Sequence, residues 1–135
     1  RLATDRAEIN VVGDQFGNPT SALDIADGIL KVASNLVSDP ASKLRGVFHM
    51  TAAGETSWAG FAEAIFAASE AAGGPTARVR AITTNDYPTL ARRPANSRLD
   101  CGKLEECHAV KLGDWRVSSA AVVAQLVGTP ASKGY

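Results

Sequence analysis

Hydrophobic residues recur along this chain with two periods, and those periods predict its elements. Ile9 to Val12 is a short apolar run, the pattern of a buried strand. It ends in Asp14-Gln15-Phe16-Gly17-Asn18-Pro19-Thr20, a stretch dense in turn formers. A helix is predicted next. Ala22, Ile25, Ala26, Ile29, Val32, Ala33 and Leu36 share one face, and Ser21 with Asp24 has the form of a capping box. Pro40 forbids its continuation. Gly46 to Met50 reads as a second strand. The loop Thr51 to Ser57 then leads into the clearest helical stripe in the chain, formed by Trp58, Phe61, Ala62, Ile65, Phe66, Ser69 and Ala72. Gly73-Gly74-Pro75 ends it, with glycine supplying a left-handed cap.

Arg78 to Ile82 alternates charged and apolar residues, which predicts a half-buried strand at a sheet edge. A long irregular stretch follows, Thr83 to Ser97. Asp100 is placed to cap a short helix through Leu104 and Cys107. Asp114 is placed to cap a last one, with Val117, Ala120, Ala121, Ala124 and Val127 as its stripe and Gly128-Thr129-Pro130 as its end. The tail Ala131 to Tyr135 is expected to fray. This order of strands and helices indicates the α/β class, with a small sheet and about three main helices. Arg1 to Glu8 reads as the tail of a helix entered midway, so a piece of a longer protein is expected.

Composition narrows the function classes. The 135 residues suffice for one domain with a real core. Lys and Arg total 14 and Asp and Glu total 14, so no global charge draws the chain to nucleic acid or to an anionic membrane. No apolar run approaches the roughly 18 residues of a membrane span. No signal peptide opens the sequence, and a cytoplasmic location is expected. Cys101 and Cys107 read as two reduced thiols, since a metal site would want closer spacing or more ligands.

Two stretches carry candidate chemistry. Arg92-Arg93-Pro94 puts two guanidinium forks on a long loop beside a fixed backbone, which suits an anion clamp or, as plainly, a solvated surface pair. Asp14 to Thr20 offers a carboxylate, amides, a hydroxyl and an aromatic ring. That set suits a sugar or a base, and it equally suits a tight turn into a helix. Strand-to-helix loops of a parallel sheet gather at its carboxyl edge, where such folds bind ligands; Asp14 to Thr20 and Thr51 to Ser57 qualify, and the arginine loop reaches the same edge if the strand before it is parallel. Trp58 and His49 read as core residues and Arg98 as surface. Tyr87 is open between loop packing and ligand stacking. Catalytic assemblies are absent. The glycine-rich nucleotide loops, Gly-x-Ser-x-Gly and His-Glu-x-x-His are missing, and Tyr87 has Ala91, not lysine, four residues on.

Several segments taken together resemble a known family. They are Val12-Gly13-Asp14-Gln15-Phe16-Gly17-Asn18-Pro19-Thr20, Asp24-Ile25-Ala26, Gly46-Val47-Phe48-His49, Tyr87-Pro88-Thr89 and Ala91-Arg92-Arg93-Pro94-Ala95-Asn96-Ser97-Arg98-Leu99-Asp100. In this order they are similar to the carboxyl-terminal part of the dTDP-4-dehydrorhamnose reductases, extended short-chain dehydrogenases. The resemblance covers essentially the whole chain. It implies that residues 1–135 are a substrate-binding domain whose amino-terminal Rossmann partner is absent. That partner would carry NADPH (or NADH) and a Tyr-x-x-x-Lys pair. The reaction implied is reduction of the C4 keto group of dTDP-6-deoxy-L-lyxo-4-hexulose to dTDP-L-rhamnose, a cell-envelope precursor.

The resemblance further implies that Asp14, Gln15, Phe16, Gly17, Asn18, Pro19 and Thr20 border the substrate cleft. Arg92 and Arg93 would meet the diphosphate end, with Asn96 and Ser97 supporting them; Tyr87 joins the substrate-binding set. No catalytic, cofactor-binding or metal-ligating residue is expected in this segment, which alone should be inactive. The expected partners are a dTDP-sugar and the missing domain, not nucleic acid or membrane, and a homo-oligomer stays open. The alternative is a non-catalytic binding module, like the regulatory subunit of methionine adenosyltransferase.

Overall fold

A computed structural model describes residues 2–128. A short helix α1 (Leu2–Asp5) leads into strand β1 (Glu8–Val12). Strand β2 (Phe16–Gly17) and helix α2 (Ala22–Ser38) follow, then strand β3 (Thr56–Ser57) and helix α3 (Trp58–Ala71). Strand β4 (Arg78–Ile82), the short helix α4 (Gly102–His108) and helix α5 (Trp115–Gly128) complete the order. β1 and β4 pair in parallel, Glu8 against Arg78 through Val12 against Ile82. β2 and β3 pair antiparallel, Phe16 against Ser57. The α/β class and the small sheet are as the sequence predicts.

Local chemistry accounts for the helix starts. The Ser21 hydroxyl accepts the Leu23 amide at the head of α2, and the Ser57 hydroxyl accepts the Gly60 amide at the head of α3. α3 ends as its sequence predicts. Gly73 takes φ +75, the Gly74 amide reaches back to Ser69 O at 2.7 Å, and the Ser69 hydroxyl donates to Pro75 O at 2.7 Å. The Asp114 carboxylate accepts the Arg116 amide at 2.8 Å, the expected cap of α5. Asp100 likewise accepts the Gly102 amide at 2.7 Å, although Cys101 is the residue at the N-cap of α4.

The most deeply buried large side chains are Trp115, Leu104 and His108. Phe61 from α3 meets the Trp115 ring edge-on at 5.6 Å, which joins α3 to α5. His108 sits at the other end of the core. Its Nε2 donates to Leu44 O at 3.1 Å, and its ring meets Phe48 at 4.8 Å. Asn35 on α2 donates to His108 O at 2.8 Å, which ties α2 to α4. α2 comes close enough to Met50 that a Cβ on Gly28 would lie 2.7 Å from the Met50 sulfur.

Five expectations need correction. Gly46 to Met50 forms no strand. Val47 is exposed, and among the described residues no neighbouring backbone offers it a ladder. His49 is exposed too, and its Nδ1 faces Asp100 O. The buried face of α2 is rotated from the predicted stripe, with Ile25, Gly28, Val32, Asn35 and Leu36 turned inward and Ala22, Ala26, Ile29 and Ala33 exposed. On α5 the inward residues are Trp115, Ser118, Val122, Val123 and Val127, whereas Val117, Ala120, Ala121 and Ala124 face solvent. β1 is half-buried rather than buried, because among the described residues it has a strand on one side only. The expected tail, Ala131 to Tyr135, lies outside the described residues.

Candidate nucleotide-sugar site

The parallel pairing of β1 and β4 sets the site. Both strands end at the same edge, and the Gly13 amide prolongs the ladder to Ile82 O at 2.8 Å. The loops that leave them are therefore neighbours. Asp14 fastens one to the other. Its carboxylate accepts the Thr84 hydroxyl at 2.6 Å and the Thr84 amide at 3.0 Å on each oxygen. These bonds hold the Asp14 pKa below its ordinary value, with the hydroxyl as the largest cause. Two residues on, Asp86 caps its own turn. It accepts the Thr83 hydroxyl at 2.8 Å and the Thr83 amide at 3.0 Å, and its pKa is lowered for the same reason. Gln15 is only 9% exposed, and its amide nitrogen donates to Thr84 Oγ1 at 3.0 Å.

Past Gln15 the chain becomes β2 and is flanked on both sides. β3 pairs with it on one side. On the other, the Phe16 amide donates to Ala95 O at 2.9 Å and the Ser97 amide to Phe16 O at 2.8 Å, so the end of the arginine loop forms a parallel bridge. Asn18 holds two neighbours at once, donating to Gly54 O at 2.8 Å and accepting the Leu99 amide at 3.0 Å. The Thr20 hydroxyl donates to Asn18 O and accepts the Ala52 amide. Gly54, at φ +81, lets this loop pass Trp115, since a Cβ there would lie 3.1 Å from the indole Cδ1.

An open cavity of about 490 Å³ lies between these segments. Gln15, Phe16, Gly17, Asn18, Pro19, Thr20, Arg93 and Ser97 line it, so eight of the twelve residues singled out in the sequence converge. Thr56, Ser57, Trp58, Phe61 and Pro94 complete the walls. Trp58 is 59% exposed and belongs to the cavity, not to the core. In the first turn of α3 its ring stands clear of the packed face, and its period-matched place in the stripe had disguised that. Thr56 and Ser57 belong to the loop Thr51 to Ser57, which its place before a helix had marked for the ligand-binding edge, although neither residue was singled out by itself.

The other four residues lie elsewhere. The Asp14 carboxylate is occupied by Thr84. The Asn96 carboxamide is turned to Arg98. Arg92 lines neither this cavity nor the adjoining one. Tyr87 lines the adjoining cavity of about 240 Å³, which shares Gln15, Trp58 and Arg93 with the first. Arg93 thus stands between the two, and among the described residues it has no ion pair.

The chemistry of this lining is mixed. Phe16, Trp58 and Phe61 give flat apolar faces. Asn18, Thr20, Thr56, Ser57 and Ser97 give donors and acceptors, and Arg93 gives one cation. A cavity of this size and character fits a small organic anion with a planar ring. A family model described as the RmlD substrate binding domain matches residues 1–127. The chain belongs to the RmlD substrate-binding domain family. Among curated RmlD relatives, the dTDP-4-dehydrorhamnose reductase of Sinorhizobium fredii is 44% identical over 123 residues, covering 91% of this chain and 42% of that protein. The reductase of Burkholderia thailandensis is 43% identical, covering 94% of this chain and 45% of that protein. The chain therefore spans less than half the length of these relatives.

Solved structures agree with this RmlD assignment. The dTDP-4-dehydrorhamnose reductase of Clostridium acetobutylicum matches with TM-score 0.77 and 31% identity, over 95% of this chain and 41% of that one. The reductase of Bacillus anthracis, solved in complex with NADP, matches with TM-score 0.76 and 27% identity, over 91% of this chain and 40% of that one.

Neither loop at this strand edge presents the helix N-terminus on which a Rossmann fold seats a pyrophosphate. The loop after β1 runs into β2 rather than a helix N-terminus, and the loop after β4 enters a single 3₁₀ turn, Thr84–Asp86. Among the described residues no group of three or more His, Cys, Asp or Glu is placed to hold a metal. Cys101 and Cys107 are free thiols, and no described helix is long and apolar enough to cross a membrane.

Proposed function

We propose that this domain is the nucleotide-sugar-binding part of a dTDP-4-dehydrorhamnose reductase. It holds dTDP-6-deoxy-L-lyxo-4-hexulose for reduction at C4 to dTDP-L-rhamnose. The observation that carries the reading is Arg93 on the wall of a cavity lined by three aromatic rings and by polar loop residues, in a chain of the RmlD substrate-binding family. A diphosphate is a strong partner for an arginine fork, and a nucleobase or sugar ring packs on exposed aromatic faces. The polar side chains along the wall suit ring hydroxyls and the carbonyls of a pyrimidine.

Residues 1–135 then act as the carboxyl-terminal substrate-binding domain, paired in the whole enzyme with an amino-terminal Rossmann domain. The free edge of β1 and the exposed Tyr87 and Leu90 beside the site suit such a neighbour. NADPH and the proton donor belong to that neighbour, so this segment binds and orients without catalysing. A cytoplasmic location accords with this reading.

Titration calorimetry with dTDP, dTMP and thymidine tests the proposal. Affinity should fall in that order as phosphates are lost. Equal binding of all three, or of none, would refute it.

A further inference from the structure

The loop from Tyr87 to Arg98 places Arg93, yet little holds it. Between Pro88 and Pro94, among the described residues, no hydrogen bond runs from the loop to the body of the domain; the Thr89 hydroxyl, for one, turns back to Ala91 O. The loop is secured at its ends. At the amino end the Tyr87 amide reaches Thr84 O at 3.2 Å. At the carboxyl end, next to Arg93, stands the Phe16–Asn96 bridge, and two side chains fasten the segments beside it: Asn18, which joins Gly54 to Leu99, and Arg98. Arg98 Nη1 donates to Glu55 Oε1 at 2.7 Å. Its Nε donates to Asn96 Oδ1 at 2.9 Å, an oxygen that also accepts the Arg98 amide at 3.0 Å. Its guanidinium carbon lies 6.0 Å from the centre of the Phe16 ring.

Arg98 therefore spans three segments: the arginine loop, β2 beneath it, and the residue just before β3. Phe16, Thr56, Ser57, Arg93, Pro94 and Ser97 all line the cavity, and β2 lies between β3 and the end of the arginine loop. Glu55 and Arg98 line neither cavity and join the two flanking segments. Theirs is the one ion pair, among the described residues, that ties this loop to the rest of the domain.

We infer that the Arg98–Glu55 pair is a positioning clasp that closes the arginine loop onto the cavity and sets the reach of Arg93 to an anionic ligand. Neither residue touches the ligand. The pair also satisfies the Arg98 charge, leaving Arg93 as the cation that faces the cavity. At 42% and 55% side-chain exposure the pair is screened by solvent, so the clasp is weak and sensitive to salt. The inference rests on the nucleotide-sugar reading for its ligand, not for its structural half.

The test is a double-mutant cycle in the intact encoded polypeptide, with Glu55→Gln, Arg98→Gln and the double variant. Hydrogen exchange is read first, at the Phe16 and Ser97 amides. Either single variant should speed exchange there, the double variant no further, while the Gly13 amide is unchanged. Unaltered exchange overturns the clasp whatever the ligand proves to be. dTDP affinity is read second, and each single change should lower it about two- to fivefold, with the double variant no weaker than the singles. If the pair acted through charge alone, Glu55→Gln would tighten an anion while Arg98→Gln weakened it, and that outcome too overturns the clasp. Exchange that speeds up in a protein that never binds dTDP would leave the clasp standing and sink the nucleotide-sugar reading. Raised salt should erase the difference between wild type and Glu55→Gln; a difference that survives salt contradicts an ion pair.

Discussion

Thr84→Val tests how the site loop is fastened to the sheet. The change keeps the shape of the side chain and removes one hydroxyl. That hydroxyl donates to Asp14 at 2.6 Å and accepts from Gln15 at 3.0 Å. Asp14 keeps the Thr84 amide and is fully exposed, so water replaces what it loses. Gln15 is only 9% exposed and has no such recourse. An unpaired amide donor in that setting costs about 1–3 kcal/mol. For a domain of this size that corresponds to a fall in Tm of about 3–10 °C. The pH dependence follows from the lowered pKa of Asp14. A carboxylate with a depressed folded pKa contributes stability that is complete above its ordinary value of 3.8 and is lost as pH falls through the lowered one. The gap between wild type and Thr84→Val should narrow over that acid range, because the Asp14 part disappears, and should not close, because the Gln15 part remains. Thermal denaturation at neutral pH and near pH 3 measures both. A variant within about 1 °C of wild type at neutral pH would refute the fastening.

Three further substitutions separate roles that the sequence left joined. Trp58→Ala should reduce dTDP affinity severalfold and change unfolding free energy by less than about 1 kcal/mol, as for a cavity wall; a loss of about 3–5 kcal/mol in urea titration would return Trp58 to the core. Leu104→Ala, at a side chain only 2% exposed, should cost about 2–5 kcal/mol in the same assay, and a near-neutral result would contradict the packing of α4. Gly54→Ala combines a positive φ with a Cβ 3.1 Å from Trp115 and should destabilise by at least about 1 kcal/mol; equal urea midpoints would disprove the close passage.

Features with local causes were legible in the sequence. Ser21 and Asp114 cap their helices through bonds of two residues' reach, and Gly73-Gly74-Pro75 stops α3 by backbone conformation alone; the capping box expected of Ser21 and Asp24 is not formed, because the Asp24 carboxylate accepts the Ser118 hydroxyl instead. The order of elements put the two loops at one edge only on condition that β4 runs parallel to β1, and that direction came from the fold. Periodicity misled where apolar residues lie around much of a helix. α2 and α5 carry small or aliphatic residues on several sides, so tertiary contacts such as Met50 against Gly28 chose the buried face. Gly46 to Met50 has the composition of a strand, but pairing needs a neighbour, and no local rule supplies one. The side-chain partners were the least legible. Asp14 finds Thr84 70 residues away, and Arg98 finds Glu55 43 residues away. A polar turn residue and a surface arginine look the same in sequence whether or not such a partner exists.

On the nucleotide-sugar reading Arg93, rather than its neighbour, faces the anion. Local chemistry alone could not rank the two, and the fold does, since Arg93 lines both cavities and Arg92 neither. Titration calorimetry of dTDP against Arg93→Ala and Arg92→Ala, in the intact encoded polypeptide at low salt, measures this directly. A charge-assisted arginine contact of about 1.5 kcal/mol predicts roughly a tenfold loss of affinity for Arg93→Ala. Arg92→Ala should stay within about twofold of wild type. Equal affinities for Arg93→Ala and wild type, or a larger loss for Arg92→Ala, would show that Arg93 does not hold the anion.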